Sequence, residues 1–179
     1  MTRDDVVRVD SFQINHCLPN VVVGKRRDEV HSANDRVVGR SRGGLTSKIH
    51  AVVDTNGLPV QLALTAGEAH DNRLAGSLLS RLKSGSMLLA DRGYDADWIR
   101  ALVTKRRAWA NIPPRSNRNE PICSSPHLYR ARNLVERFFN KIKQCRRVAT
   151  RYDKLAANYL AFIQLASIRL WLRVNESTP

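Results

Sequence analysis

The segment TSKIHAVVDTNGLPVQLALT, residues 46–65, decides the centre of the fold. It contains two apolar, β-prone runs, residues 46–54 and 58–65, on either side of Asn56-Gly57. An Asn-Gly pair tolerates the positive φ angles that a tight hairpin turn requires. The segment therefore predicts two antiparallel strands, and Asp54 at the turn has an ordinary local role there.

Downstream of this hairpin, the pattern predicts helices that alternate with strands. Leucines at helical spacing predict an amphipathic helix over residues 71–82, and Asp71 is placed to cap its first turn. The other predicted elements are a strand over 86–90 that leads into Asp91, a helix over 95–107, a strand over 108–112, a long helix from Tyr129 and a buried C-terminal helix over about 154–173.

Upstream of the hairpin, a run of valines over residues 6–9 predicts a short strand that ends at Asp10. Residues 15–44 are rich in Arg, Lys, Gly, Asn and Asp, and their weak periodicity predicts a long basic loop. The order of elements indicates a mixed α/β fold, with three antiparallel strands followed by crossover strands. Acids at the ends of the first and fourth strands and on a late helix are the layout expected of a ribonuclease-H-like mixed sheet with flanking helices.

Basic residues exceed acidic ones, and the excess is concentrated in one region. Thirty Lys and Arg against sixteen Asp and Glu give a net charge of +14. Residues 100–151 contain fourteen of the basic residues and two acids, so they carry twelve of these net charges. This concentration indicates a face that binds a polyanion such as nucleic acid. Composition alone leaves open a basic surface without a partner, or a ribosome-associated protein.

Cysteine spacing and hydropathy indicate a cytoplasmic protein. Cys17, Cys123 and Cys145 are far apart and lack CxxC spacing, so neither a disulfide framework nor a zinc site is predicted. The N-terminus lacks the apolar run of a signal peptide. The longest apolar stretch, residues 155–172, is interrupted by polar side chains, which favours a helix of the protein core over a membrane span.

The helix that begins near Tyr129 has two distinct faces. At roughly 100° per residue, Tyr129, Arg132, Glu136 and Lys143 fall within a stripe about 60° wide. A separate apolar face, able to pack on the sheet, contains Leu134, Val135, Phe138, Phe139 and Ile142. A glutamate at the edge of a buried face needs a cation, which Arg132 or a bound metal could supply. These helical positions are equally compatible with an ordinary structural ion pair between Arg132 and Glu136.

The same four residues carry a family resemblance. In YRARNLVERFFNKIK they have the spacing Y-x2-R-x3-E-x6-K, which resembles the signature of bacterial insertion-sequence DDE transposases of the fourth and fifth insertion-sequence families. Further blocks similar to that group are GRSRGGLTSKIHAVVD (39–54), LADRGYDAD (89–97), NIPPRSNR (111–118) and RRVATRYDKL (146–155).

The resemblance implies that Asp91 and Glu136 are the second and third catalytic carboxylates. For the first, Asp10-Ser11 with His16 corresponds to the Asp-Ser-Thr of the family pattern and its following His. Phe12 replaces the threonine, and residues 16–35 depart from the usual pattern, which leaves Asp54 as a rival to Asp10.

Three carboxylates supply hard oxygen ligands, which suit two Mg²⁺ or Mn²⁺ ions. Asp10, Asp91 and Glu136 would hold these ions. Tyr129, Arg132 and Lys143 would contact DNA beside the cleaved bond, and the alternative for Lys143, less favoured by the complete motif, is a solvated lysine. Arg40 and Arg42 could follow the DNA backbone, and a flexible basic loop explains them nearly as well.

Residues 1–179 are therefore expected to form a single catalytic domain that cleaves and transfers DNA strands of an insertion sequence. An N-terminal region that recognises the element's ends is expected to be absent. The expected partners are the element ends and target DNA, the product of an upstream transposase reading frame, and further copies of the chain on DNA. The alternatives are an inactive or truncated remnant that only binds DNA and a junction-resolving nuclease, although the Tyr129–Lys143 spacing argues against the nuclease.

Overall fold

The computed structural model describes residues 20–30, 39–41, 44–67, 69–153 and 155–176. These residues form a mixed α/β structure with a central sheet. Its strands are β1 (Asn20–Val30), β2 (Gly39–Ser41), β3 (Gly44–Val53), β4 (Pro59–Ala66), β5 (Met87–Leu89) and β6 (Trp109–Asn111). Its α-helices are α1 (Ala75–Leu78), α2 (Asp97–Lys105), α3 (Pro126–Tyr129), α4 (Asn133–Ile142), α5 (Arg146–Ala149) and α6 (Ala156–Glu176).

The predicted hairpin is confirmed as β3 and β4, which pair antiparallel with Ile49 opposite Leu64. The connecting turn closes through the Asp54 amide, which donates to the Leu58 carbonyl at 2.9 Å. Gly57 adopts a φ of 74°, the left-handed conformation for which the Asn-Gly pair was suited. The residues of this turn therefore determine how β3 and β4 pair in the sheet.

The first described strand lies where the sequence predicted a loop. Residues 15–44 were expected to be a basic loop, but β1 and β2 both fall within this range. β1 pairs antiparallel with β3 on one side and parallel with β5 on the other. β5 pairs only with residues 20–22, whereas β3 pairs with residues 22–30. The charged second half of the strand, KRRDE, has little apolar periodicity, and its ladder with β3 satisfies backbone hydrogen bonds there. The strand predicted over residues 6–9 and its Asp10 lie outside the described residues.

The sheet has antiparallel strands first and crossover strands after them, but its first described strand is β1 and not the strand that was predicted over residues 6–9. The path through the sheet is β2-β3-β1-β5-β6, with β4 also paired to β3. β1, β3 and β4 are antiparallel neighbours, whereas β5 and β6 run parallel to β1. Strands of the second half therefore end at the same edge of the sheet, where Asp91 follows β5.

Helices cover both faces of the sheet. Successive strand residues point to opposite faces. Val52 and Leu88 accordingly join a core cluster with α1 and α2, whereas Val53 and Leu89 join a second cluster with α4 to α6. The predicted apolar face of the late helix is confirmed, since Val135 and its apolar neighbours in α4 are buried in this second cluster.

Three helices differ in extent from the sequence prediction. The helix expected over residues 71–82 is a 3-10 turn, Asp71–Leu74, followed by the short α1. The helix expected from Tyr129 is interrupted by a 3-10 turn, Arg130–Arg132, between α3 and α4. α6 is only partly buried, because Leu165, Ile168 and Leu172 are more than half exposed. Among the described residues, no helix combines the length and apolar character needed to cross a bilayer.

Candidate active site

Asp91 lies directly beyond the carboxyl end of β5 and begins a 3-10 turn, Arg92–Tyr94. Its Oδ1 accepts a hydrogen bond from the Gly93 amide at 2.8 Å. Within the described part of the chain, Oδ2 makes no hydrogen bond, so this oxygen is open to a cation. The local turn therefore fixes one side of the carboxylate and leaves the other side available.

The Asp91 carboxylate borders an open cleft of about 670 Å³. Pro113 and Pro114 form one side of it, directly after β6, and Ser125 and Tyr129 belong to the region around α3. The cleft therefore brings together the LADRGYDAD block, the NIPPRSNR block and the start of the late helix, which are far apart in the chain.

The late helix links this cleft to Glu136 through two contacts. The Arg132 guanidinium carbon lies 5.7 Å from the centre of the Tyr129 ring, a cation–π contact. Arg132 Nη1 also donates to Glu136 Oε1 at 3.1 Å. The Glu136 side chain is 48% exposed, so the pair itself contributes little to stability, and the carboxylate remains accessible. The predicted stripe is thus present over Tyr129, Arg132 and Glu136.

Packing of α4 on β1 determines where Glu136 lies. An ideal Cβ at Gly24 would come within 2.5 Å of Val135 Cγ1, so the absence of a side chain at Gly24 permits this close approach. Val22 pairs with Leu89 in the parallel β1–β5 ladder. Two residues further along each strand are Gly24 and Asp91. Glu136 follows Val135 in α4, so it lies on a helix that packs on β1. β1 is the strand that pairs with β5, which leads into Asp91.

Asp10, which is expected to be the first catalytic carboxylate, lies outside the described residues, as does His16. Among the residues that the structure describes, no three His, Cys, Asp or Glu side chains form a group that could hold a metal ion. The rival Asp54 is 2% exposed and has a local role, since its Oδ1 accepts from the Asn56 and Leu58 amides at 2.9 and 2.8 Å. Burial raises the pKa of Asp54, and its backbone hydrogen bonds oppose that increase.

A buried ion cluster beside the cleft was missed by the sequence reasoning. Asp95 precedes α2 instead of beginning it, and its side chain is fully buried. It binds Arg100 Nε at 2.9 Å, Arg118 Nε at 2.8 Å and the Arg115 amide at 2.8 Å. Burial alone would raise the pKa of Asp95, but these hydrogen bonds outweigh burial and lower the pKa to about 2.

The Asp95 cluster also holds the cleft wall against the Asp91 turn. Arg115 Nε and Nη2 lie 3.3 and 3.4 Å from the carbonyl oxygens of Arg92 and Gly93. The sequence offers one signal for this cluster, namely opposite charges in two of the quoted blocks. The acidic residue Asp95 falls in DRGYDAD and the basic residue Arg118 in PPRSNR. No local periodicity connects residues so far apart.

The other predicted DNA-contacting residues lie at different places. Lys143 is exposed at the C-terminal end of α4, where its Nζ lies 3.4 Å from Asn140 Oδ1. Arg40 is in β2, and Arg42 lies outside the described residues.

Only part of the basic region, residues 100–151, is exposed at the protein surface. Arg151 is fully buried and stacks over the Tyr159 ring at 5.2 Å, so it belongs to the packing of α5 against α6. Arg100 and Arg118 form salt bridges with Asp95. Most of the other basic side chains of residues 100–151 are exposed and available to a polyanion.

Comparisons with known proteins match nearly the whole chain. The family profile described as "Transposase DDE domain" matches residues 2–171. The chain is 40% identical over 130 residues to the putative transposase for insertion sequence element IS6501 of Brucella ovis, covering 72% of this chain and 100% of that protein. A cryo-EM structure of the piggyBac transposase synaptic complex with hairpin DNA is similar with a TM-score of 0.46 and 10% identity, covering 58% of this chain and 24% of that chain.

Proposed function

Because this chain belongs to the transposase DDE domain family, we propose that it cleaves and transfers DNA strands of an insertion sequence through Asp91, Glu136 and Asp10. The observation that carries the proposal is the link from the Asp91 cleft to Glu136. Tyr129 lines the cleft, Arg132 stacks on Tyr129, and the same Arg132 binds Glu136. A motif recognised by spacing alone thereby forms a contiguous set of side chains next to the second carboxylate.

The proposed fold is ribonuclease-H-like. Its support is the sheet path, in which four strands that pair antiparallel, β1 to β4, are followed by two that run parallel to β1, with helices on both faces. In such a sheet the end of β5 and a helix packed on β1 converge, and these carry Asp91 and Glu136. The proposal treats residues 1–179 as a single catalytic domain.

The available donors suit a hard divalent cation. Members of this family generally use divalent metal ions, and the resident ions here are proposed to be two Mg²⁺ or Mn²⁺. Asp91 Oδ2 and the accessible Glu136 carboxylate are oxygen donors of the kind these ions prefer, and Asp10 would complete the set. Such ions, when bound, activate the attacking oxygen and stabilise the leaving oxygen of a phosphodiester.

The chain's own side chains would orient the reacting groups. Arg132 donates to Glu136 Oε1 and would hold this carboxylate in place until a metal ion or a phosphate binds. Tyr129 offers the cleft an aromatic ring and a hydroxyl. Lys143 lies seven residues beyond Glu136, about 10 Å along the helix by the usual rise, which suits a phosphate contact beside the reacting bond.

DNA is the proposed partner for the exposed basic side chains of residues 100–151. These charges would contact phosphates and position the duplex without reading its sequence. Recognition of the element's ends is proposed to come from the product of an upstream reading frame. Assembly on DNA would place the protein with the nucleoid in the cytoplasm.

Self-association is also proposed, through the exposed face of α6. Leu165, Ile168 and Leu172 follow a seam spacing of three and four residues, and they are between 52% and 60% exposed. Together with Trp171 and Val174 they form an exposed apolar face that a second copy of the chain would cover. Replacing Leu165 and Ile168 with serine should convert an oligomer to monomers in sedimentation velocity, and an unchanged sedimentation coefficient would exclude this face.

One observation favours a second candidate, a remnant that binds DNA without cleaving it. The β1–β5 ladder ends at Val22 and Leu89, and two residues beyond Val22 the β1 residue is Gly24, which has no carboxylate. If Asp10 does not approach Asp91, the site has two acids and cannot hold the ions as proposed. Both candidates bind DNA, so only a cleavage assay separates them.

The test is strand cleavage of labelled duplex DNA that contains an element end, with Mg²⁺ or Mn²⁺ and the upstream product supplied. Asp91→Asn, Glu136→Gln and Asp10→Asn should each abolish cleavage and leave DNA binding intact, because each removes charge at nearly constant size. Asp54→Asn should retain activity. The exposed Glu120 provides a matched control, and Glu120→Gln should behave as the unaltered chain.

Two results would contradict the assignment. Full activity in Glu136→Gln would remove Glu136 from the catalytic set. If Asp54 proves essential for cleavage and Asp10 dispensable, Asp54 and not Asp10 is the first catalytic carboxylate. Absence of cleavage by the unaltered chain, with metal-independent DNA binding, would favour the remnant.

A further inference from the structure

Two buried polar side chains lie beneath the Asp91 turn. His50, in the middle of β3, is fully buried, and Tyr94 is 1% exposed. The Tyr94 hydroxyl lies 3.3 Å from His50 Nδ1, and His50 Nε2 lies 2.8 Å from Thr65 Oγ1 on β4. A hydrogen-bonded path therefore runs from the hairpin strands to the turn that follows β5.

Tyr94 is the last residue of that turn. Its amide donates to the Asp91 carbonyl at 3.0 Å, which closes the turn, and its ring inserts into the core cluster with α1 and α2. Burial, and then the nearby charge of Asp91, raises the pKa of Tyr94. The hydroxyl thus remains a donor at neutral pH. If it donates to Nδ1, the His50 proton lies on Nε2 and is donated to Thr65.

Packing alone does not account for this pair. The surrounding cluster is apolar, with Val52, Leu88 and Ile99 among its members. Placing a histidine and a phenolic hydroxyl there is costly unless each is hydrogen-bonded, and an apolar residue would fill the space without that cost. The pair does supply a fixed connection between the central strand and the residues that follow Asp91.

We propose that Tyr94 and His50 are positioning residues that hold the Asp91 carboxylate in the orientation that binds a divalent cation. The inference rests on the proposed role of Asp91 as a catalytic ligand. Gly93 fixes Oδ1 from within the turn, and Tyr94 and His50 fix the turn itself to β3. Loss of such supporting hydrogen bonds typically lowers metal affinity or activity by about 10- to 100-fold.

Tyr94→Phe removes only the hydroxyl. It should raise the Mn²⁺ concentration for half-maximal strand cleavage by about tenfold, and reduce the rise in Tm that Mn²⁺ causes without DNA. The Kd for duplex DNA should not change, because no phosphate contact is lost. Tyr152→Phe makes the same chemical change at an exposed tyrosine and should leave all three quantities unaltered.

Variants of His50 provide a second measurement that does not depend on Tyr94→Phe folding well. Asparagine can place a polar atom near the Nδ1 position, whereas leucine cannot. His50→Leu should therefore shift the Mn²⁺ requirement by about tenfold, and His50→Asn by about threefold or less. Equal shifts in both variants, or a lowered Tm with an unchanged Mn²⁺ requirement, would overturn the positioning role.

The outcome for Asp91 separates this inference from the proposed function. If Asp91→Asn abolishes cleavage while Tyr94→Phe and His50→Leu keep the normal Mn²⁺ response, the positioning role alone is wrong. If Asp91→Asn remains fully active, the proposed function is wrong, and the positioning role falls with it.

Discussion

Asparagine at position 95 would remove the charge of the buried cluster while keeping the size of the side chain. Asp95 accepts hydrogen bonds from Arg118, Arg100 and the Arg115 amide, which together fasten the cleft wall to the start of α2. A pKa lowered from 3.8 to about 2 measures how much better the folded state binds the ionised carboxylate.

The shift corresponds to at most about 2.5 kcal/mol at neutral pH. The two guanidinium partners are 16% and 20% exposed, and solvent screening reduces the expected contribution to between about 1 and 2 kcal/mol. Because the folded-state pKa is below the unfolded value, this contribution is complete above about pH 4 and lost as pH falls through about 2. About half of it should remain at pH 3.

Urea unfolding followed by circular dichroism, at pH 7 and pH 3, measures the effect. The difference in free energy of unfolding between the unaltered chain and Asp95→Asn should be roughly twice as large at pH 7 as at pH 3. Asp97→Asn is a matched control, since Asp97 also binds Arg118 but its side chain is 87% exposed. A difference that is equal at both pH values would show that charge is not the source of the stabilisation.

Two further predictions concern packing and DNA contact. Gly24→Ala should destabilise the fold by about 1–3 kcal/mol in urea unfolding, because the new Cβ would meet Val135. Gly76→Ala is the control: a Cβ there would have no atom within 4 Å, so this variant should be neutral or stabilising. Equal stability of both variants would refute the close approach of α4 to β1. Lys143→Ala should impair cleavage at an element end more than DNA binding, and Lys105→Ala, on the exposed face of α2, should change both only slightly. Equal loss of cleavage and binding in Lys143→Ala would assign Lys143 to the general basic surface.

Local patterns in the sequence were sufficient for several elements. Asn56-Gly57 determines the hairpin because the turn depends on the φ angle of a single residue, Gly57. The short apolar run before Asp91 predicted β5, and helical periodicity predicted the buried face of α4. The Arg132–Glu136 contact also follows from spacing, because residues four apart on a helix are neighbours.

Other features depended on contacts between distant parts of the chain. β1 is a strand because β3 pairs with residues 22–30 and β5 with residues 20–22, which its charged sequence does not reveal. Asp95 meets Arg118 across 23 residues, and His50 meets Tyr94 across 44. No periodicity encodes such pairs, since backbone pairing and burial bring them together only when the sheet has formed. The sequence by itself determined the motif and the strand-end position of Asp91, whereas only the tertiary structure decided which side chains support them.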